Sequence, residues 1–164
     1  MPELMPNAPL IKFKPKFIER YSALTDWEKF KTYNLSFLRR CIRINTLVTT
    51  VKETKKSIEE KGWKLEPVPW CKEGFWISHP DRRDVGNLLE YYIGKIYVQE
   101  AASMIPPLVL QPKPGDIVLD LCAAPGGKTA QLLANNLEVT SIEYSIKRAE
   151  LFKKNLSRLN LKTK

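Results

Sequence analysis

The sequence predicts an α/β fold in two parts: a small N-terminal α/β module, then the first β-α-β-α of a doubly wound parallel sheet that is incomplete. Three observations carry this. Residues 41 to 78 alternate strand-like and helix-like segments. IVLDL, residues 117 to 121, is a continuous apolar run of the kind found in a strand covered on both faces. A helix and a second strand follow it within one crossover length, as parallel pairing requires.

Taken in order, Thr25 and Glu28 form a T-x-x-E capping box ahead of a short amphipathic helix reaching Asn34, with Trp27, Phe30 and Tyr33 three residues apart. CIRINTL, residues 41 to 47, sets Ile42 and Ile44 against Arg43 and Asn45, the alternation of a half-buried strand. Residues 51 to 61 are good helix formers that stop at Gly62. LEPVPW and GFWIS read as two short extended pieces. Their aromatics Trp70, Phe75 and Trp76, with Trp63, suit either stacking platforms for bases or core positions. A helix is expected over Gln99 to Leu110, a turn at KPGD, the strand at 117 to 121, and a helix from Gly126 and Gly127 to Asn135. EVTSIE, residues 138 to 143, is the next strand; Ser145 can cap a last helix lined by Ala149, Phe152, Leu156 and Leu159.

Composition narrows the partner. The chain has 164 residues, 43% apolar side chains and a formal charge of +9. Residues 1 to 64 hold fourteen basic against seven acidic side chains. A solubilising surface and a polyanion-binding surface both fit this surplus, and its clustering favours binding. Three widely spaced cysteines and a single histidine give no metal-ligand pattern and no disulfide framework. No targeting segment opens the chain, and its longest apolar stretch is too short for a bilayer and broken by Pro106 and Pro107. These features suggest a reduced, cytoplasmic protein without membrane or metal partners.

LDLCAAPGGKT, residues 119 to 129, is the informative segment. Small residues and two glycines after a buried strand let a ligand lie against main-chain N–H groups at a helix N-terminus. Glu143 ends the next strand, where parallel-sheet nucleotide folds place the acceptor for ribose hydroxyls. A phosphate-binding P-loop would need a glycine at the position of Cys122, which counts against an NTPase.

CAAPGGKT after LDL, preceded by YVQEAASMIPPLVLQPKPGD, resembles the cofactor motif and lead-in of the Sun/RsmB-type RNA (cytosine-5) methyltransferases. The likeness continues upstream through IRINTL, EEKGWKLEPVPW and EGFWI, covers about residues 36 to 164, and is nearest in texture to archaeal tRNA-directed members. It implies S-adenosylmethionine as cofactor. Cys122, Ala123, Ala124, Pro125, Gly126, Gly127 and Lys128 would form the loop around it, Glu143 would hold the ribose, and Arg148 matches the family's arginine after that acid. Asp120 would either touch the cofactor or brace the loop. The resemblance also implies domains at 1–95, RNA-binding, and 96–164, the start of a Rossmann-like cofactor domain. Arg39, Arg40, Arg43 and Asn45 are the candidate contacts to RNA, tRNA before rRNA, fixing its position rather than its sequence.

Addition to cytosine requires a thiolate at carbon 6, and the family supplies a cysteine pair in later strands. The D-A-P-C and T-C-S segments that carry it are absent here, so no catalytic residue is assigned. The stretch from Lys128 to Glu143 is a few residues shorter than is usual in the family. One neighbour for IVLDL leaves an apolar edge, which suggests the N-terminal half of an enzyme completed by a second polypeptide, or a truncation. The alternative is a non-catalytic RNA-binding protein derived from the family.

Overall fold

A computed structural model describes residues 3 to 164 and divides into two compact units, Met1–Arg39 and Arg40–Lys164. In the first, α1 (Pro15–Ser22) and α2 (Trp27–Asn34) share an aromatic cluster. Tyr21 stacks on Phe30 with ring centroids 4.5 Å apart, and Phe13 meets Trp27 edge-on at 5.1 Å. The expected capping pair is displaced by one residue. Asp26 is the N-cap and accepts from the Lys29 backbone N–H at 3.0 Å, while the Thr25 N–H is taken by the Tyr21 carbonyl.

The second unit opens with an antiparallel sheet in the order β2-β3-β1-β4, formed by β1 (Cys41–Ile44), β2 (Lys64–Val68), β3 (Cys71–Ser78) and β4 (Ile96–Val98). α3 (Val51–Glu59) crosses between β1 and β2, and α4 (Leu89–Tyr92) precedes β4. A reciprocal capping box starts α3: Thr50 accepts from the Glu53 N–H while the Glu53 carboxylate accepts from the Thr50 N–H. Gly62 closes the turn after α3 at φ +84°, a value that suits a residue without Cβ.

β1 is central, and every one of its residues is buried, so the half-buried strand expected at 41 to 47 is not formed. One side, Ile42 and Ile44, packs with Ile58 of α3, Trp63, Phe75 and Ile77. The other begins with Cys41, which joins Val68, Cys71, Ala101 and Met104. Trp63 and Phe75 are therefore core, and Trp76 packs half-buried on the second cluster. Trp70 alone of the module's tryptophans is exposed.

The single helix expected over 99 to 110 is two pieces. A 3-10 turn at Ala101–Met104 is capped by Glu100, which accepts from the Ser103 N–H at 3.0 Å; α5 (Ile105–Leu110) follows. Pro106 and Pro107 lack N–H groups and fit only a first helical turn, so the break falls just ahead of them. Gln99 instead prolongs β4, its N–H bonded to the Cys41 carbonyl.

Next come β5 (Ile117–Asp120), α6 (Gly127–Leu133), β6 (Glu138–Ser141) and α7 (Ile146–Arg158). β5 and β6 pair in parallel from Ile117↔Glu138 to Asp120↔Ser141. The coverage expected for β5 on both faces is not found. Val118 packs on Leu132, Leu137 and Val139, whereas Ile117 and Leu119 are 75% and 55% exposed. Nor does Ser145 cap α7 with its side chain; the Glu143 carboxylate accepts from the Ser145 N–H.

α7 ties this part to the antiparallel sheet. Phe152, Leu156 and Leu159 pack with Tyr97, Ala123, Ala124 and Ala130. Arg158 donates to the carbonyls of Tyr91 and Ile96 and lies over the Tyr91 ring. Gly94, at φ +74°, sits so near α7 that a Cβ there would fall 2.2 Å from the Arg158 carbonyl oxygen.

Candidate cofactor and RNA site

The loop between β5 and α6 is held from several sides. Asp120, the last residue of β5, accepts from the Cys122 N–H at 3.3 Å and from the Thr129 hydroxyl at 2.6 Å, bracing both ends of the loop. The Ala123 N–H reaches the Ile142 carbonyl at 3.1 Å. Pro125 follows a cis peptide bond, and its carbonyl accepts from the Tyr97 hydroxyl at 3.1 Å and the Asn155 amide at 2.8 Å. α6 then starts at Gly126 with φ +107°.

Glu143 meets the same loop at Ala124. Its Oε2 accepts from the Ala124 N–H at 3.2 Å, its Oε1 accepts from the Ser145 N–H at 3.0 Å, and Arg148 Nη1 lies 3.5 Å away. Arg148 Nη2 also donates to the Ala124 carbonyl at 2.6 Å. The Ser145 N–H outweighs desolvation and, with smaller help from the Ala124 N–H and the Arg148 charge, holds the Glu143 carboxyl below the usual carboxylate range. Arg148 is thus a working partner of the loop rather than a free helix residue.

A cleft of about 150 Å³ opens beside the loop. Cys122, Ala123, Ala124, Pro125, Gly127 and Lys128 line it on one side, and Tyr97, Gln99, Glu100 and Ser103 on the other. Gly126 does not line it: a Cβ there would come 3.2 Å from the Phe152 ring, so this glycine permits packing against α7. Gly127 does face the opposite wall, where a Cβ would come 3.1 Å from Tyr97. Glu143 and Arg148 lie outside the lining and act at Ala124. The wall formed by Tyr97, Gln99, Glu100 and Ser103 is not among the residues the sequence points to, although YVQEAAS is the lead-in to the loop.

The expected basic face of residues 41 to 47 requires correction. Arg43 and Asn45 are each 3% exposed. The Asn45 amide donates to the carbonyls of Gly94 and Leu159, a structural bridge, and no RNA-facing surface remains at that position. Arg43 Nε donates to Gln99 Oε1 at 3.0 Å, and Gln99 Nε2 passes the chain on to the Ser103 carbonyl and Gln131 Oε1. The cause is the central place of β1, which buries both side chains and leaves Arg43 only a share in the lining of a second, separate cleft. Arg39 and Arg40 are exposed, and Arg40 donates to the Arg83 carbonyl. Among the described residues no group of three or more His, Cys, Asp or Glu side chains could hold a metal ion, and no helix is long and apolar enough to cross a membrane.

A parallel strand pair joined through a small-residue loop and a helix, with an acid two residues beyond the second strand rather than inside the strand expected over 138 to 143, marks the opening of a Rossmann-like α/β domain. Residues 13–101 match the N-terminal domain of 16S rRNA methyltransferase RsmF, and residues 107–164 match 16S rRNA methyltransferase RsmB/F. A tRNA (cytosine(49)-C(5))-methyltransferase of Pyrococcus abyssi is 52% identical over 74% of this chain and 39% of its own length. Ribosomal RNA small subunit methyltransferase F of Shewanella oneidensis is 40% identical over 92% of this chain and 34% of its own. A crystal structure of a methyltransferase homolog from Pyrococcus horikoshii is 33% identical with a TM-score of 0.72, covering 92% of this chain and 55% of that one. The chain belongs to the RsmB/F family of RNA (cytosine-5) methyltransferases. It spans about a third to two fifths of the curated relatives cited, which carry their remaining length in the same polypeptide. Those relatives lend no support to a separate second polypeptide.

Proposed function

We propose that this chain binds S-adenosylmethionine and RNA for methylation of a cytosine at carbon 5, with tRNA as substrate before rRNA. The observation that carries the reading is the meeting of Glu143 with the Ala124 N–H, which brings an acid two residues beyond the end of β6 onto the loop after β5. The cofactor, when bound, supplies the methyl group.

The residues present fit that group. Each Glu143 oxygen accepts one backbone N–H and keeps a lone pair for a ribose hydroxyl. Ala123 and Ala124 leave the loop backbone open to close approach, and Cys122, Pro125, Gly127 and Lys128 complete the cradle beside the cleft. Gly126 lets the loop turn into α6, and Arg148 joins Glu143 to the loop by lying 3.5 Å from its carboxylate while donating to the Ala124 carbonyl. Asp120 holds the loop ends together and takes a bracing role. Residues 96–164 form the start of the cofactor domain and residues 1–95 the RNA-binding part, with Arg39 and Arg40 as exposed phosphate contacts. The setting is cytoplasmic, where its RNA substrates lie.

Calorimetry of the chain with S-adenosylmethionine tests this. Saturable heat is expected for the unaltered protein, with affinity about tenfold weaker in Glu143→Ala, the scale of one lost hydrogen bond to a charged group. No heat with a folded chain would overturn the cofactor reading.

A further inference from the structure

A second cleft, of about 190 Å³, is lined by Arg43, Trp70, Lys72, Glu73, Leu108 and Asn135 among others. It shares none of its lining residues with the loop cleft; Gln99 connects the two by accepting from Arg43 and donating to Gln131. Resting on the RNA-binding reading above, we propose that this cleft holds one unpaired nucleotide of the RNA, its base stacked on Trp70 and its phosphate held by Arg43 and Lys72.

The aromatic platform is built in advance. The Trp70 indole N–H donates to the Ala101 carbonyl at 3.0 Å, and the ring meets Trp76 edge-on at 5.9 Å. Both contacts fix the ring, yet Trp70 remains 43% exposed. An aromatic side chain already immobilised loses little further entropy when a base stacks on it.

The charge is equally deliberate. Burying a guanidinium is costly unless its donors are satisfied. Among the described residues the Arg43 hydrogen bond to Gln99 uses only Nε, so the terminal nitrogens are left to the cleft that Arg43 lines. Burial lowers the Arg43 pKa to about 10, which still leaves it cationic at neutral pH. Lys72 adds an exposed second cation, while the Glu73 carboxylate, held by the Cys71 thiol at 3.5 Å, offers an acceptor for base N–H groups. Two cations against one anion suit a single phosphate carrying a base with donors. The volume admits one base and no paired helix.

Fluorescence anisotropy of the whole chain with short single-stranded RNA, and with the same strand annealed into a duplex, tests the cleft. Trp70→Ala is expected to weaken single-strand binding about tenfold, and Trp70→Phe to retain most of it. Lys72→Glu, at an exposed position, is expected to weaken it comparably and to flatten its salt dependence. Duplex binding and the heat of S-adenosylmethionine binding are expected to stay unchanged. Full single-strand affinity in both Trp70→Ala and Lys72→Glu would overturn the cleft and leave the methyltransferase reading standing. Equal losses on duplex and single strand would overturn base stacking. Cofactor heat with no RNA binding by the unaltered chain would overturn the cleft together with the RNA-binding role, and leave the cofactor role intact.

Discussion

Two apolar strands of similar composition meet opposite fates. Ile42 and Ile44 of β1 are fully buried, while Ile117 and Leu119 of β5 are largely exposed. β1 has an antiparallel neighbour on each side, and residues from α3 and the 3-10 turn cover its faces. β5 has one parallel neighbour among the described residues. Hydrophobic content makes a strand, but coverage depends on what the topology brings to it. The loop that follows β5 is ordered all the same, because Tyr97, Asn155 and Arg148 grip it from outside the sheet.

Equilibrium denaturation sharpens this contrast. The largest loss is expected for Ile44→Ala, about 2–5 kcal/mol for a fully buried aliphatic side chain. Next comes Glu90→Gln, which leaves the Ser57 hydroxyl a partner but removes the charge that faces Lys61. Burial raises the Glu90 pKa, but the Lys61 and Ser57 bonds and the Lys61 charge outweigh it and hold the carboxyl below its ordinary value. The charged form therefore contributes above about pH 4.5, and the contribution fades as pH falls through the depressed folded value. A deficit of about 1–2 kcal/mol at pH 7 that shrinks in acid is expected; a deficit independent of pH would place the effect in packing. The smallest change is expected for Leu119→Ser, within about 0.5 kcal/mol as for exposed positions. If Leu119→Ser cost as much as Ile44→Ala, the contrast between the two strands would fail.

Much of this was legible in the residues. IVLDL, the glycine pair and EVTSIE marked β5, α6 and β6, because a continuous apolar run and small turn residues are local signals. The side-chain roles were less legible. Arg43 and Asn45 read as a polar strand face because alternation reports only period, and nothing local shows that a second layer covers it. Gly126 read as a pocket residue, whereas its missing Cβ makes room for Phe152, a contact across α7. Tyr97, Gln99 and Ser103 reach the loop from β4 and the turn after it, so their part in the cleft depends on long-range packing. Trp70 could not be told from Trp63 by sequence, since stacking and core tryptophans share one composition.

Gln99 can point its amide in only one direction. Its oxygen meets a guanidinium N–H, and its nitrogen meets the Ser103 carbonyl oxygen and the Gln131 amide oxygen. Rotating the amide by half a turn would set hydrogen against hydrogen at one end and oxygen against oxygen at the other. Glutamate would fail at the nitrogen end and methionine at both, so among side chains of this length only a two-sided amide keeps the wall between the clefts upright.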